Sequence, residues 1–130
     1  MSDPSLALVI VAVEDLPRSL AFYRDVTTWP VPVETPVYAE LSSPNGFRLG
    51  LYDRQGFGRN IKRVPEPIAG PVATTELYLF VDDIEDLMAR ARDAGAHVLD
   101  EPSDRPWGDR VGYVADPDGY VVAFARRSGT

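Results

Sequence analysis

Val13-Glu14-Asp15-Leu16 returns as Val81-Asp82-Asp83-Ile84, and Pro44-Asn45-Gly46-Phe47 returns as Pro117-Asp118-Gly119-Tyr120. The two pairs are offset by 68 and 73 residues, so a strand end, a helix start and a hairpin turn recur in one order at nearly one spacing. Duplication of one supersecondary unit accounts for such a pattern. Working outward from the first pair, residues 6–13 form an apolar, β-branched run of strand length, and Asp15 is placed to cap a helix with Pro17 in its first turn. Leu16, Leu20 and Tyr23 then fall on one side at helical spacing, which predicts an amphipathic helix over about 17–26. Extended segments at 31–34, 37–42 and 47–53 follow, the last two joined by the Pro44-Asn45-Gly46 turn.

The second copy predicts a strand at 75–81, a helix at about 84–94 capped by Asp83 and closed by Gly95, and strands at 97–99, 110–115 and 120–126. Asp116-Pro117-Asp118-Gly119 supplies its hairpin turn. Each half reads βαβββ, an α+β class. The expected layout is a single domain over 1–130, with module one at about 5–54, a Gly- and Pro-rich linker at 55–74 and module two at 75–127. The basic cluster of Arg54, Arg59, Lys62 and Arg63 reads as part of a flexible solvated loop rather than a phosphate cradle.

Composition narrows the chemistry. With 130 residues, of which 45% are apolar, the chain has material for one core. Zero cysteines remove disulfides, thiolate metal sites and a cysteine nucleophile, and a single histidine leaves little for a serine triad or a zinc centre. A formal charge of −7 disfavours nucleic acid as a partner. No apolar run approaches the ~20 residues that span a bilayer, and no basic segment precedes an apolar one at the N-terminus, so the expectation is a cytoplasmic protein without membrane contact.

Strand parity sorts side chains into two faces. Val9, Val11, Val13, Leu49, Leu51, Leu77, Leu79, Val81, Val122 and Phe124 make an aliphatic face for the helices to cover. Leu8, Ile10, Ala12, Arg48, Gly50, Tyr52, Glu76, Tyr78, Phe80, Ala123 and Ala125 make the other. Small residues beside aromatics and a few charges suit a ligand cleft, the plain alternative being a partly solvated sheet face. Straight pairing across Pro44-Asn45 puts Ala39 and Leu41 on this second face and Glu40 on the first, unless a bulge shifts the hairpin by one residue.

The segments VAVEDLPRSLAFYRDV, LYLFVDDIEDLMARARDAGAHVLDEP and RPWGDRVGYVADPDGYVVAF resemble the vicinal oxygen chelate superfamily, also called the glyoxalase, bleomycin-resistance and extradiol dioxygenase superfamily. The Trp-Gly, strand and DPDG turn of the last segment carry the resemblance most specifically. It implies paired βαβββ modules forming an open, curved mixed sheet around a cleft, often in a homodimer. Enzymes of that superfamily hold a divalent metal from four symmetric strand positions, which map here to Leu8, Gly50, Glu76 and Ala123. Only Glu76 has a donor atom, so no metal and no other cofactor is expected. His97 reads as a surface or edge residue.

What the resemblance then implies is a metal-independent small-molecule binding protein, sequestering an aromatic or cationic compound as bleomycin-resistance proteins do in antibiotic resistance. Its expected ligand contacts are Arg48, Tyr52, Glu76, Tyr78, Phe80, Trp107 and Arg110. Trp107 has a plain alternative as a plug at the module edge, and Trp29 reads as packing or dimer contact. The alternative is a glyoxalase-like enzyme of lyase, isomerase or dioxygenase class. Glu76 would then serve as a catalytic base poised by burial or as the sole retained metal ligand, with Arg48 or Arg110 as its electrostatic partner. A pure interaction subunit is the third reading.

Overall fold

The computed structural model describes residues 2–128. The expected span of 1–130 therefore reaches beyond the described residues at Met1, Gly129 and Thr130. The chain divides into two units, Met1–Glu66 and Pro67–Thr130.

In the first unit, β1 (Leu8–Val13) leads into α1 (Leu16–Thr27), followed by β2 (Val33–Glu34), β3 (Tyr38–Ser42) and β4 (Arg48–Asp53). The sheet order is β1-β4-β3-β2, with β1 parallel to β4 and the remaining pairs antiparallel. Asp15 caps α1, its side chain accepting from the Arg18 amide at 3.1 Å, and Pro17 stands in the first turn where no amide donor is needed. Leu16, Leu20, Phe22, Tyr23 and Val26 of the helix are buried. On the sheet, Val11, Val13, Ala39, Leu41, Leu49 and Leu51 are buried as well.

The second unit repeats the plan with β5 (Glu76–Phe80), α3 (Ile84–Asp93), β6 (His97–Asp104), β7 (Asp109–Ala115) and β8 (Val121–Arg127), in sheet order β5-β8-β7-β6. Asp83 caps α3 by accepting from the Asp86 amide at 3.1 Å. Ile84, Met88 and Ala91 are buried on the helix side, and Gly112 makes room there, since a Cβ at that position would stand 2.9 Å from Met88 Sδ. The helix packs chiefly on β6, β7 and β8. Leu77, Leu79 and Val81 are consequently only half-buried, although strand parity gave them to the covered face. Two four-stranded mixed sheets, each from a βαβββ unit, are the architecture.

Two local readings are corrected. Residues 54–61, expected as the end of module one and the start of the linker, form the helix α2 (Arg54–Ile61), capped by the Asp53 carboxylate. Its glycines hid it from the sequence pattern, yet both are packing sites: a Cβ on Gly56 would meet Tyr52 at 2.5 Å, and one on Gly58 would meet Val64 at 2.6 Å. Arg54 fastens the helix start, donating to Glu14 at 2.8 Å and to the Pro65 carbonyl at 3.1 Å.

The second correction concerns the hairpin. Ser43 N donates to the Phe47 carbonyl at 2.8 Å and Gly46 N to the Ser43 carbonyl at 2.9 Å, so the loop has three residues and not two. Gly46 sits at φ +85°, which an L side chain rarely adopts. One extra loop residue flips strand parity. Glu40 therefore pairs with Gly50, and Tyr38 with Tyr52, while Ala39 and Leu41 face the helix.

Candidate functional site

On the first unit, β3 and β4 bring a polar cluster to the sheet face away from α1. Glu40 lies at its centre. Its Oε2 accepts from the Tyr38 phenol at 2.6 Å and its Oε1 from Arg48 at 2.8 Å. These two donors, the phenol first and the guanidinium second, hold the Glu40 carboxyl below its usual range. Burial and the Glu40 carboxylate together push the Tyr38 phenol well above its ordinary value, so it is a neutral donor at physiological pH. The Glu40 side chain is only 14% exposed against 43% for Arg48, so the guanidinium is the outward-facing member of the pair. The rings of Tyr38 and Tyr52 stand 5.0 Å apart, and Phe57 of α2 meets Tyr52 edge-on at 6.4 Å. Arg48 and Tyr52 were expected here from sequence; Tyr38, Glu40 and Phe57 were not. The positive-φ requirement of Gly46 is the signal that would have found the first two.

On the second unit, Glu76, Tyr78 and Phe80 alternate onto the face away from α3. The Tyr78 phenol donates to Asp109 Oδ2 at 2.5 Å and accepts from Trp107 Nε1 at 2.9 Å. Phe80 packs edge-on to Tyr78, with ring centroids 5.7 Å apart, and the Arg127 guanidinium lies 5.6 Å over the Phe80 ring. Burial, then the bond to Asp109, raises the Tyr78 phenol above its ordinary value. Trp107 is set by a three-residue loop of the same kind as the first hairpin, closed by Arg105 N to the Asp109 carbonyl at 2.7 Å with Gly108 at φ +97°. On this same face, Val111, Ala123 and Ala125 are fully buried with Tyr113 packed against them, so the small residues are covered and do not leave the open room expected of them.

Tyr113 is gripped in turn by Arg105, whose guanidinium lies 4.9 Å over its ring. That guanidinium also bonds the Val111 carbonyl at 2.8 Å and Asp100 at 2.9 Å. Burial and the neighbouring Glu76 carboxylate raise the Tyr113 phenol.

The structure does not place Arg110 with these residues. It alternates with Val111 onto the opposite side of β7, and its guanidinium reaches Glu85 of α3 at 3.4 Å. Glu76 is exposed, without the burial that would poise a proton-transferring carboxylate. His97 opens β6 as an exposed residue opposite Ala115. A surface groove of about 440 Å³ between the start of α1 and the loop after β2, lined by Leu16, Pro17, Leu20, Glu34, Thr35 and Pro36, includes none of the expected contacts.

The four strand positions that the resemblance assigns to a metal do not suit one. Leu8, Gly50 and Ala123 have no donor atom, and Ala123 is fully buried. Gly50 lacks space for a replacement, because a Cβ there would stand 2.7 Å from the Tyr38 hydroxyl and 2.8 Å from Ile10 Cγ1. Among the described residues, no three of His, Asp and Glu converge so as to hold an ion.

Comparison with known proteins agrees with this architecture. Residues 5–124 match the model of the Glyoxalase/Bleomycin resistance protein/Dioxygenase superfamily. A glyoxalase-related enzyme from Fulvimarina pelagi superposes with a TM-score of 0.78 at 26% identity, over 93% of this chain and 86% of that one. A glyoxalase/bleomycin resistance protein/dioxygenase family enzyme from Burkholderia phytofirmans PsJN shares the fold at 17% identity, with a TM-score of 0.80 over 92% and 95% of the two chains. Uncharacterized protein Mb0911c of Mycobacterium bovis is 37% identical over 79 residues, which cover 58% of this chain and 49% of that protein. The chain thus spans about half the length of the curated relatives it matches. With the tandem βαβββ units, the repeated hairpins and a family match over nearly the whole chain, the protein belongs to the glyoxalase, bleomycin-resistance and dioxygenase superfamily.

Proposed function

We propose that this protein is a metal-independent small-molecule binder whose ligand is a planar, positively charged aromatic compound taken on the aromatic face of the second unit. The observation that carries the reading is the chain of hydrogen bonds from Trp107 to Tyr78 to Asp109. It fixes two polar-tipped rings beside Phe80 although Tyr78, Trp107 and Phe80 are 37%, 57% and 61% exposed. Large rings held rigid in water are a stacking surface with little ordering cost left for a ligand to meet. Glu76 and Asp109 set two carboxylates at that surface against the Arg127 guanidinium over Phe80, and the net charge of −7 favours a cation over an anion. Tyr52 and Arg48, also expected as ligand contacts, belong to the first unit. The lack of donors at three of the four ligand positions supports binding without a metal.

The test is a titration with proflavine, a planar aromatic cation, against a planar naphthalenesulfonate of similar size, followed by tryptophan fluorescence and calorimetry. Saturable binding of the cation, weakened at least tenfold by Trp107→Ala and by Phe80→Ala, is the expected result. Equal binding by both variants and the parent would reject the site, and one equivalent of tightly held divalent metal in protein purified without an affinity tag would reject metal independence.

A further inference from the structure

Gly50 and Tyr38 together bear on what the first unit has become. In β4, Gly50 lies between Ile10 of β1 and Glu40 of β3, and its missing side chain leaves a hollow on the sheet face. The Tyr38 ring fills that hollow: a Cβ on Gly50 would be 2.7 Å from its hydroxyl and 3.2 Å from its Cε1. Real Cβ atoms do not approach a neighbour at 2.7 Å, so any residue larger than glycine at position 50 must expel the ring and also push back Ile10, whose Cγ1 would stand 2.8 Å away. The ring does not move freely, because its hydroxyl is tied to Glu40, Glu40 is tied to Arg48, and Tyr52 packs on its side.

We infer that Tyr38 is a built-in plug, its phenol occupying the place on β4 from which a side chain at position 50 would reach out to a ligand or metal ion. The missing donor at position 50 is then no simple deletion. The space has been reassigned to a tyrosine held by a carboxylate and a guanidinium, and a donor cannot be restored there by one substitution. This inference rests on the metal-independent reading above, but it concerns packing within the first unit and is tested separately from it.

The test is a cycle of stability measurements. Gly50→Ala is made in the parent, in Tyr38→Phe and in Tyr38→Ala, with far-ultraviolet circular dichroism confirming that each folds. Overpacking predicts that Gly50→Ala lowers Tm by roughly 5 °C in the parent, by less beside phenylalanine, and by least beside alanine, where the contact with Ile10 remains but the one with the ring is gone. Equal losses in all three backgrounds would overturn the plug.

A second arm places histidines at positions 8 and 50, with and without Tyr38→Ala, and titrates nickel by calorimetry. Nickel should bind at least tenfold tighter once Tyr38 is truncated. Equal affinity in the two proteins, or binding by neither, would count against the plug. Metal held by the parent itself would instead remove the metal-independent reading while leaving the stability cycle to decide on Tyr38.

Discussion

Glu40 receives the Tyr38 phenol and the Arg48 guanidinium, and both favour its charged form. A carboxyl whose folded value is depressed stabilises the fold above its unfolded value and loses that contribution as pH falls through the folded one. Glu40→Gln is therefore expected to cost about 1 kcal/mol at neutral pH. The gap should narrow as the parent is acidified below the usual carboxyl value of 4.5, which thermal melts at stepped pH would check. Glu40 escaped the sequence because its face hangs on one loop residue, and Pro44-Asn45 looked like the whole turn. Arg110 shows the opposite case. Its alternation with Gly112 and Val114, which face α3, was open to the parity rule that sorted the other strands.

Three loops in this chain, at 43–47, 105–109 and 116–120, close with the same two backbone bonds and a glycine at φ +85°, +97° and +97°. Helix caps and turn glycines were legible because each rests on local chemistry, a carboxylate over free amides, a proline in a first turn, a glycine where φ must be positive, whereas the length of the first turn and the far end of β6, which runs to Asp104 and not Leu99, were not. The helix α2 was not legible, because its glycines serve contacts with Tyr52 and Val64 that no local pattern announces. Gly108→Ala is expected to cost about 1 kcal/mol in denaturant unfolding, since nothing crowds a Cβ there and only the backbone is strained. It should also weaken proflavine binding, because the same loop sets Trp107. Asp83→Ala, which removes the α3 cap, should cost a similar ~1 kcal/mol without touching binding.

At the scale of the molecule, the duplication was the most legible feature: both sheets have the same strand order and the same parallel pair at one edge. The aromatic face proposed for a ligand was legible only in part, since Tyr78 and Phe80 share a strand face while the hydrogen bonds joining Trp107 to Asp109 needed coordinates. With a charge of −7 spread over the chain, cation binding should weaken as ionic strength rises from about 10 mM to about 0.15 M, and binding of a neutral planar analogue should not, as paired titrations would show. The tyrosines add an optical consequence. Four of the six, Tyr38, Tyr78, Tyr113 and Tyr120, hold their protons above the ordinary phenol value of 10. In mild alkali the native chain should thus show less of the near-ultraviolet tyrosinate colour than its denatured form displays, and a sudden rise in that colour would time the opening of both units without any attached dye.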